Sequence, residues 1–92
     1  MRVSSELIAY AAKIATGMRA RKPGAPSYMI EAAANVGLRL RPSTHVVECR
    51  LCGARLASML GLYRHLLNKH SQEVWAMIEA EAERIASSWR ME

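Results

Sequence analysis

The chain has 92 residues, a formal net charge of +5, two cysteines, and neither Phe nor Asp. Two cysteines exclude a disulfide framework, and no apolar run approaches the ~20 residues of a membrane span. The expectation is therefore a cytoplasmic protein with no membrane partner, nucleoid-associated if its source is prokaryotic or viral, whose modest core needs a metal or a partner chain to supplement it.

Taken in order, Ser4 or Ser5 is placed to cap a first helix, with Glu6 favourable against the helix dipole. Leu7, Ile8, Ala11, Ala12, Ile14, Ala15 and Met18 recur at helical spacing and predict a helix over about 5–18. The stretch R-A-R-K-P-G-A-P at 19–26 holds two prolines, a glycine and three cations, so it breaks the helix as a basic loop. That loop reads equally well as a phosphate contact or as a solvated connector. Ser27 is placed to cap a second helix over about 27–38, with Met29, Ile30, Ala32, Ala33 and Val36 inward and Gly37 ending or loosening it. Arg39 and Arg41 follow, and Pro42 forbids continuation.

The next stretch organises the chain. Cys49 and Cys52 are followed by His65 and His70 in the spacing C-x2-C-x12-H-x4-H. A tight turn lets two thiolates approach one ion, and two histidines just over one helical turn apart tilt their imidazoles toward it. Four such ligands close the coordination sphere, so the cofactor expected is one structural Zn2+. A redox C-x-x-C would need the strand and helix context of a larger α/β fold, for which the chain is too short and too helical. His45 lies just before the stretch and is read as a loop residue.

These residues resemble the zinc finger of the two-cysteine, two-histidine type. The resemblance extends to the three apolar positions the family keeps around its metal, here Val47, Leu56 and Leu62. It implies a short hairpin around 46–48 and 55–57, then a helix over about 58–70, and single fingers of this kind occur in small archaeal and archaeal-virus regulators. More weakly, V-S-S-E-L-I at 3–8 and P-S-Y-M-I-E-A-A at 26–33 resemble the helix pair of ribbon-helix-helix DNA-binding proteins, although only 1–4 precede the first helix where that family places its reading strand.

A last helix, 71–90, carries Val74, Ile78, Ala82, Ile85 and Trp89 on one stripe, broadened by Trp75 and Met77. It is read as packing on the first two helices, with a homodimer seam as the alternative, and its continuity with the finger helix is left open. The fold expected is mainly α: an N-terminal two-helix region at 1–43, one ββα zinc finger at 44–70, and a C-terminal amphipathic helix at 71–92.

Charge divides along the same lines. Residues 1–70 hold eleven Lys or Arg against three Glu, whereas residues 71–92 hold two Arg against five Glu. A basic body points to a polyanion partner. In the finger resemblance, the base-reading positions fall on Ser58, Gly61 and Arg64, with Arg64 suited to a guanine edge. Gly61 has no side chain to offer, and one finger covers only about three base pairs. Phosphate contacts from Arg50, Arg55, Arg64 and Lys69, flanked by Arg39 and Arg41, are therefore the expected mode. The function expected is a DNA-binding transcriptional regulator that contacts mainly the duplex backbone. The alternative is a protein-interaction adaptor using the finger and the C-terminal helix. With no Asp, no glycine-rich phosphate loop and no nucleophile paired with a base, no enzyme is expected.

Overall fold

A computed structural model describes residues 2–43 and 45–90. Four helices make up the described regular structure: α1 (Arg2–Thr16), α2 (Ser27–Arg39), α3 (Met59–Lys69) and α4 (Ser71–Arg90). α1 lies at the centre of the packing, in contact with the other three, while α2 and α4 also pack on each other. One contiguous buried cluster draws on all four helices and on Cys49. The molecule measures 44 × 23 × 21 Å. Among the described residues, no helix is long and apolar enough to cross a membrane.

The first helix starts earlier than its serines predict. Arg2 to Ser4 are already helical, because no Gly or Pro stands there to stop the turn from propagating. Ser4 and Ser5 therefore lie inside the first turn rather than capping it, and no reading strand of the ribbon-helix-helix kind is present at 2–4. The other end is built from a Schellman turn. Gly17 adopts φ +73°, the Met18 N–H donates to the Lys13 carbonyl at 2.9 Å, and the Gly17 N–H donates to that of Ile14 at 3.3 Å. Thr16 bends its hydroxyl back to the Ala12 carbonyl at 2.9 Å. The chain is thus reversed at 17–18, and the basic loop doubles back beside α1.

α2 begins at Ser27 itself, with Pro26 in the capping position and no side chain bonded to the exposed N–H groups. Ser27 is the first helical residue and not the cap. Gly37 also departs from its expected role: it is fully enclosed inside α2, which runs on to Arg39. A Cβ built there would lie 2.6 Å from the Ala11 carbonyl oxygen and 2.6 Å from the Ile14 Cβ. With Ala11, Ala12, Ala15, Ala32 and Ala33 also buried, α1 and α2 approach through small residues, and Gly37 marks the closest point.

α4 is tied to α2 by one carboxylate. Glu81 is only 4% exposed, and it accepts from Asn35 at 2.9 Å, Arg39 at 2.6 Å and Arg84 at 2.6 Å. Trp89, expected in the core stripe, is instead 52% exposed at the end of α4, where its ring meets Tyr28 edge to face at 6.1 Å.

The ββα element is not formed. Residues 46–57 hold a single antiparallel bridge between Glu48 and Arg55, and no strand among the described residues. Two ladder hydrogen bonds, Cys49 N–H to the Ala54 carbonyl at 2.8 Å and Leu56 N–H to the Val47 carbonyl at 2.8 Å, bracket a loop too tight to extend into strands. α3 and α4 are two helices and not one, because the backbone at His70 turns to φ −129°.

Two outcomes test this packing. Gly37→Ala should destabilise by about 1–3 kcal/mol in urea unfolding, although Ala is the better helix former, because the obstructing atom is backbone. Glu81 is held down to about 2, chiefly by Arg84, then Asn35 and Arg39. A folded value below the ordinary carboxyl range means that its stabilisation is complete above about pH 5 and is lost as pH falls through that range toward 2. Glu81→Gln should therefore flatten the acid limb of the stability–pH curve, and an unchanged limb would show that the carboxylate carries no such linkage.

Candidate metal centre

The turn at 49–53 is formed by local hydrogen bonding. The Gly53 N–H donates to the Cys49 carbonyl at 2.7 Å, and Gly53 takes φ +79°, a conformation L side chains rarely adopt. Space is not the constraint there, since the nearest atom to a Cβ at Gly53 would be a Glu48 carboxylate oxygen at 3.8 Å. The turn leaves backbone N–H groups of Leu51 and Cys52 facing the Cys49 sulfur and that of Ala54 facing the Cys52 sulfur.

α3 supplies the other side. Ser58, expected as the first helical residue and a base-reading position, instead caps the helix, its hydroxyl accepting from the Gly61 N–H at 3.1 Å. Leu62 and Leu66 point into the core, which fixes the roll of the helix and turns His65 toward the cysteines. His70 then ends α3, and its own carbonyl accepts from the Val74 N–H at 2.8 Å. Val47 and Leu56 are half-buried against the core beside the fully buried Leu62, so the three apolar positions of the motif behave as one packing unit.

These elements bring Cys49, Cys52, His65 and His70 together, with their ligand atoms all within 4.8 Å of one another. The Cys52 sulfur lies 3.3 Å from His65 Nε2, and the two imidazole centroids are 4.9 Å apart. A tetrahedral ion with ~2.3 Å metal–sulfur bonds spaces its sulfur ligands by about 3.8 Å, so the cluster is of a size to close around one ion. The state of His70 agrees with this. Its Nε2 is buried with no hydrogen-bond partner. A buried nitrogen so placed costs about 1–3 kcal/mol unless it is satisfied, and a metal bond satisfies it. His45 stands outside the cluster, as its loop reading requires.

Glu73 is a member of the centre that the ligand spacing does not reveal. Its carboxylate lies 2.5 Å from His70 Nδ1, in the first turn of α4. With Nδ1 donating to Glu73, the other ring nitrogen is left as a lone-pair donor facing the cluster, the arrangement by which an outer carboxylate orients a metal-bound histidine. The sequence signal that could have found it is the i, i+3 spacing of His70 and Glu73.

The same geometry sets the proton affinities of the metal-free side chains. Glu73, opposed by burial, holds His70 above its ordinary value. The Ala54 N–H, then His70 and His65, bring the Cys52 thiol down to about 6, whereas burial pushes Cys49 up. Cys49 and His70 face the core, His65 is half-buried, and Cys52 is exposed. The centre thus sits between core and solvent.

The expected phosphate-contacting residues divide into two sets. Arg39 is engaged with Glu81, Arg41 donates to the Ile14 carbonyl at 3.2 Å, and Arg50 donates to the Arg41 carbonyl at 2.8 Å. Arg55, Arg64 and Lys69 are exposed and form no ion pair with a described carboxylate. On the outer face of α3, Leu60, Arg64 and Asn68 follow one another at i, i+4 spacing, all exposed. The comparisons with protein families, with curated proteins and with solved structures find no match.

Glu73→Gln should lower metal affinity roughly 10–100-fold while helicity in the metal-loaded state is retained. A Co2+ titration followed by its visible absorption reads this directly, and equal affinity in wild type and variant would remove Glu73 from the outer shell.

Proposed function

We propose that the centre holds one structural Zn2+ and that the protein binds nucleic acid, principally the phosphate backbone of duplex DNA, as a regulator of transcription. Two thiolates and two imidazoles form the soft-to-borderline donor set that suits zinc, and four protein ligands leave no coordination position open for a substrate. The metal's part is therefore to hold the 46–57 loop against α3, and the protein acts by binding rather than by catalysis.

The observation that carries the nucleic-acid reading is the set of exposed cations on the metal-bearing segment, Arg55, Arg64 and Lys69, none of them paired with a described carboxylate. The acidic residues of α4 do not neutralise them. The buried Glu81 takes Arg39 and Arg84 instead. Cations held on a rigid frame with no carboxylate partner are available to phosphates, and their contacts release counterions from the duplex. Base reading contributes little, because Gly61 and Leu60 offer no hydrogen-bonding side chain at the reading face.

An interaction adaptor is the second reading, and a specific feature favours it. Met59 and Leu60 are 37% and 46% exposed at the start of α3, a place where a groove-reading helix would carry polar side chains. Association through them would be insensitive to salt, unlike phosphate binding.

The test is fluorescence anisotropy of the zinc-loaded protein on a mixed-sequence duplex across a salt series. Changing Arg55, Arg64 and Lys69 together to Gln should weaken binding and reduce the slope of log K against log salt by about 0.9 for each phosphate no longer neutralised. Undiminished affinity and slope would exclude this face, and no duplex binding even at low salt would leave the adaptor as the reading.

A further inference from the structure

The basic loop has a use that the metal-bearing segment does not explain. The Schellman turn at Gly17 and Met18 sends residues 19–24 back along α1, and the two together enclose a depression of about 530 Å³. Lys13, Arg19, Arg21 and Lys22 line it from both sides, with Glu6 as the one carboxylate and Tyr10 as the one aromatic ring. None of the four cations forms an ion pair with a described carboxylate. Four like charges around one concavity repel one another, and none of the four side chains belongs to the core cluster, against which the end of the loop packs through Ala25. An anion entering the depression relieves that repulsion.

A second depression of about 390 Å³ adjoins the first, sharing Tyr10 and Lys22. Its walls include Ala25, Ile30 and Ala34 from the end of the loop and from α2, with Ser27 and the Glu31 carboxylate beside them. Tyr10 thus stands between a strongly cationic compartment and a largely apolar one. Each compartment falls within the ~300–1,000 Å³ range of small-ligand sites. A ligand with a polyanionic end joined to a flat, weakly polar end matches that pairing. A cationic groove bordered by an aromatic ring is also the combination by which a nucleotide is held irrespective of its base.

The geometry points to a nucleotide-binding site built by the 19–25 loop, in which Lys13, Arg19, Arg21 and Lys22 hold the phosphate and the ring of Tyr10 packs against the base or sugar. The ligand is a nucleotide unit, either one residue of a nucleic-acid strand or a free nucleoside polyphosphate. Only the strand source rests on the nucleic-acid reading above, and it adds a contact region separate in sequence from Arg55, Arg64 and Lys69.

The experiment is NMR titration of the full, zinc-loaded chain with three probes: ATP, inorganic tripolyphosphate and an eight-residue oligo(dT). ATP should shift the resonances of Tyr10, Lys13, Arg21 and Lys22. The surface double variant Arg21→Gln/Lys22→Gln should weaken ATP and tripolyphosphate binding at least about tenfold. Tyr10→Leu should weaken ATP and leave tripolyphosphate unchanged, and Tyr10→Phe should bind both as wild type does. Because Tyr10 also packs on the core, its variants are read only with wild-type circular dichroism, and the double variant keeps the test independent of them. Tighter binding of oligo(dT) than of ATP identifies a strand as the ligand, and the reverse identifies a free nucleotide. Either supports the site. Absence of shifts at those four residues with all three probes, or wild-type affinity in the double variant, overturns it. The triple Gln variant at Arg55, Arg64 and Lys69 separates the two readings. It should bind ATP as wild type does, so failure of duplex binding there leaves this site standing, and failure of ATP binding there would overturn it.

Discussion

The buried imidazole of His70 is the point on which metal centre, helices and core depend together. It closes α3 as its C-cap, accepts from the first turn of α4 through its carbonyl, donates to Glu73 from one ring nitrogen, and holds the other buried with only the Cys52 sulfur to face. A polypeptide of this size has little margin for an unsatisfied buried nitrogen. Metal ligation at that atom would remove the penalty and at the same time fix the direction in which α4 leaves α3. Zinc binding of the kind proposed contributes on the order of 10 kcal/mol of folding free energy, comparable to the whole stability of a small domain. Such a metal is coupled to the path of α4, and not merely to the loop that carries the cysteines.

The second constraint is electrostatic sorting. α4 brings half of the acidic residues, four of eight, to a body rich in cations, and a simple expectation would be mutual neutralisation across the surface. Burial of Glu81 directs it otherwise. A carboxylate 4% exposed must be fully hydrogen-bonded, and it recruits Asn35, Arg39 and Arg84 for that purpose. Those groups are committed to structure. Arg41 and Arg50 are engaged more lightly, each donating to a backbone carbonyl. What remains is a smaller set of cations without a structural role, gathered on the metal-bearing segment and on the loop after α1. Availability, more than net charge, separates a binding cation from a structural one.

Much of this is legible in the residues alone. Ligand spacing identifies the four donors, and periodicity places the helices to within a few residues, with α4 found at its full extent of Ser71–Arg90. The failures have physical causes. The hairpin follows only from the finger resemblance, but the backbone between Val47 and Leu56 is occupied by the cysteine turn, and two ladder bonds do not sustain strands. Gly37 reads as a terminator because glycine usually marks a helix end, whereas here it permits the approach of Ala11 and Ile14, a property visible only once two helices are placed side by side. Ser27 reads as a cap, yet Pro26 already supplies the fixed φ from which the helix starts. Glu73 escapes a reading of ligand spacing because it binds no metal itself and acts only through the far nitrogen of His70.

The small-residue seam between α1 and α2 explains why the remaining features are needed. Ala11, Ala12, Ala15, Ala32, Ala33 and Gly37 bring two backbones close, but each buries little apolar area, and at ~25 cal/mol per Å² such a seam contributes less than a Leu-rich one of equal length. The larger buried side chains, Leu7, Val36, Leu62, Leu66, Val74 and Ile78, come from all four helices, so no helix pair holds a self-sufficient core. Stability must then come from groups that join elements: Glu81 between α2 and α4, and the Cys/His cluster between the loop, α3 and the start of α4. This division leaves the cations of the loop after α1 outside the core, although Ala25 at its end packs against it. Its cations are held in place by a Schellman turn at one end and by the prolines at the other, a conformation set locally and with little demand on the core. Cations so positioned are free to serve a ligand, because altering them leaves the packing that defines the fold untouched.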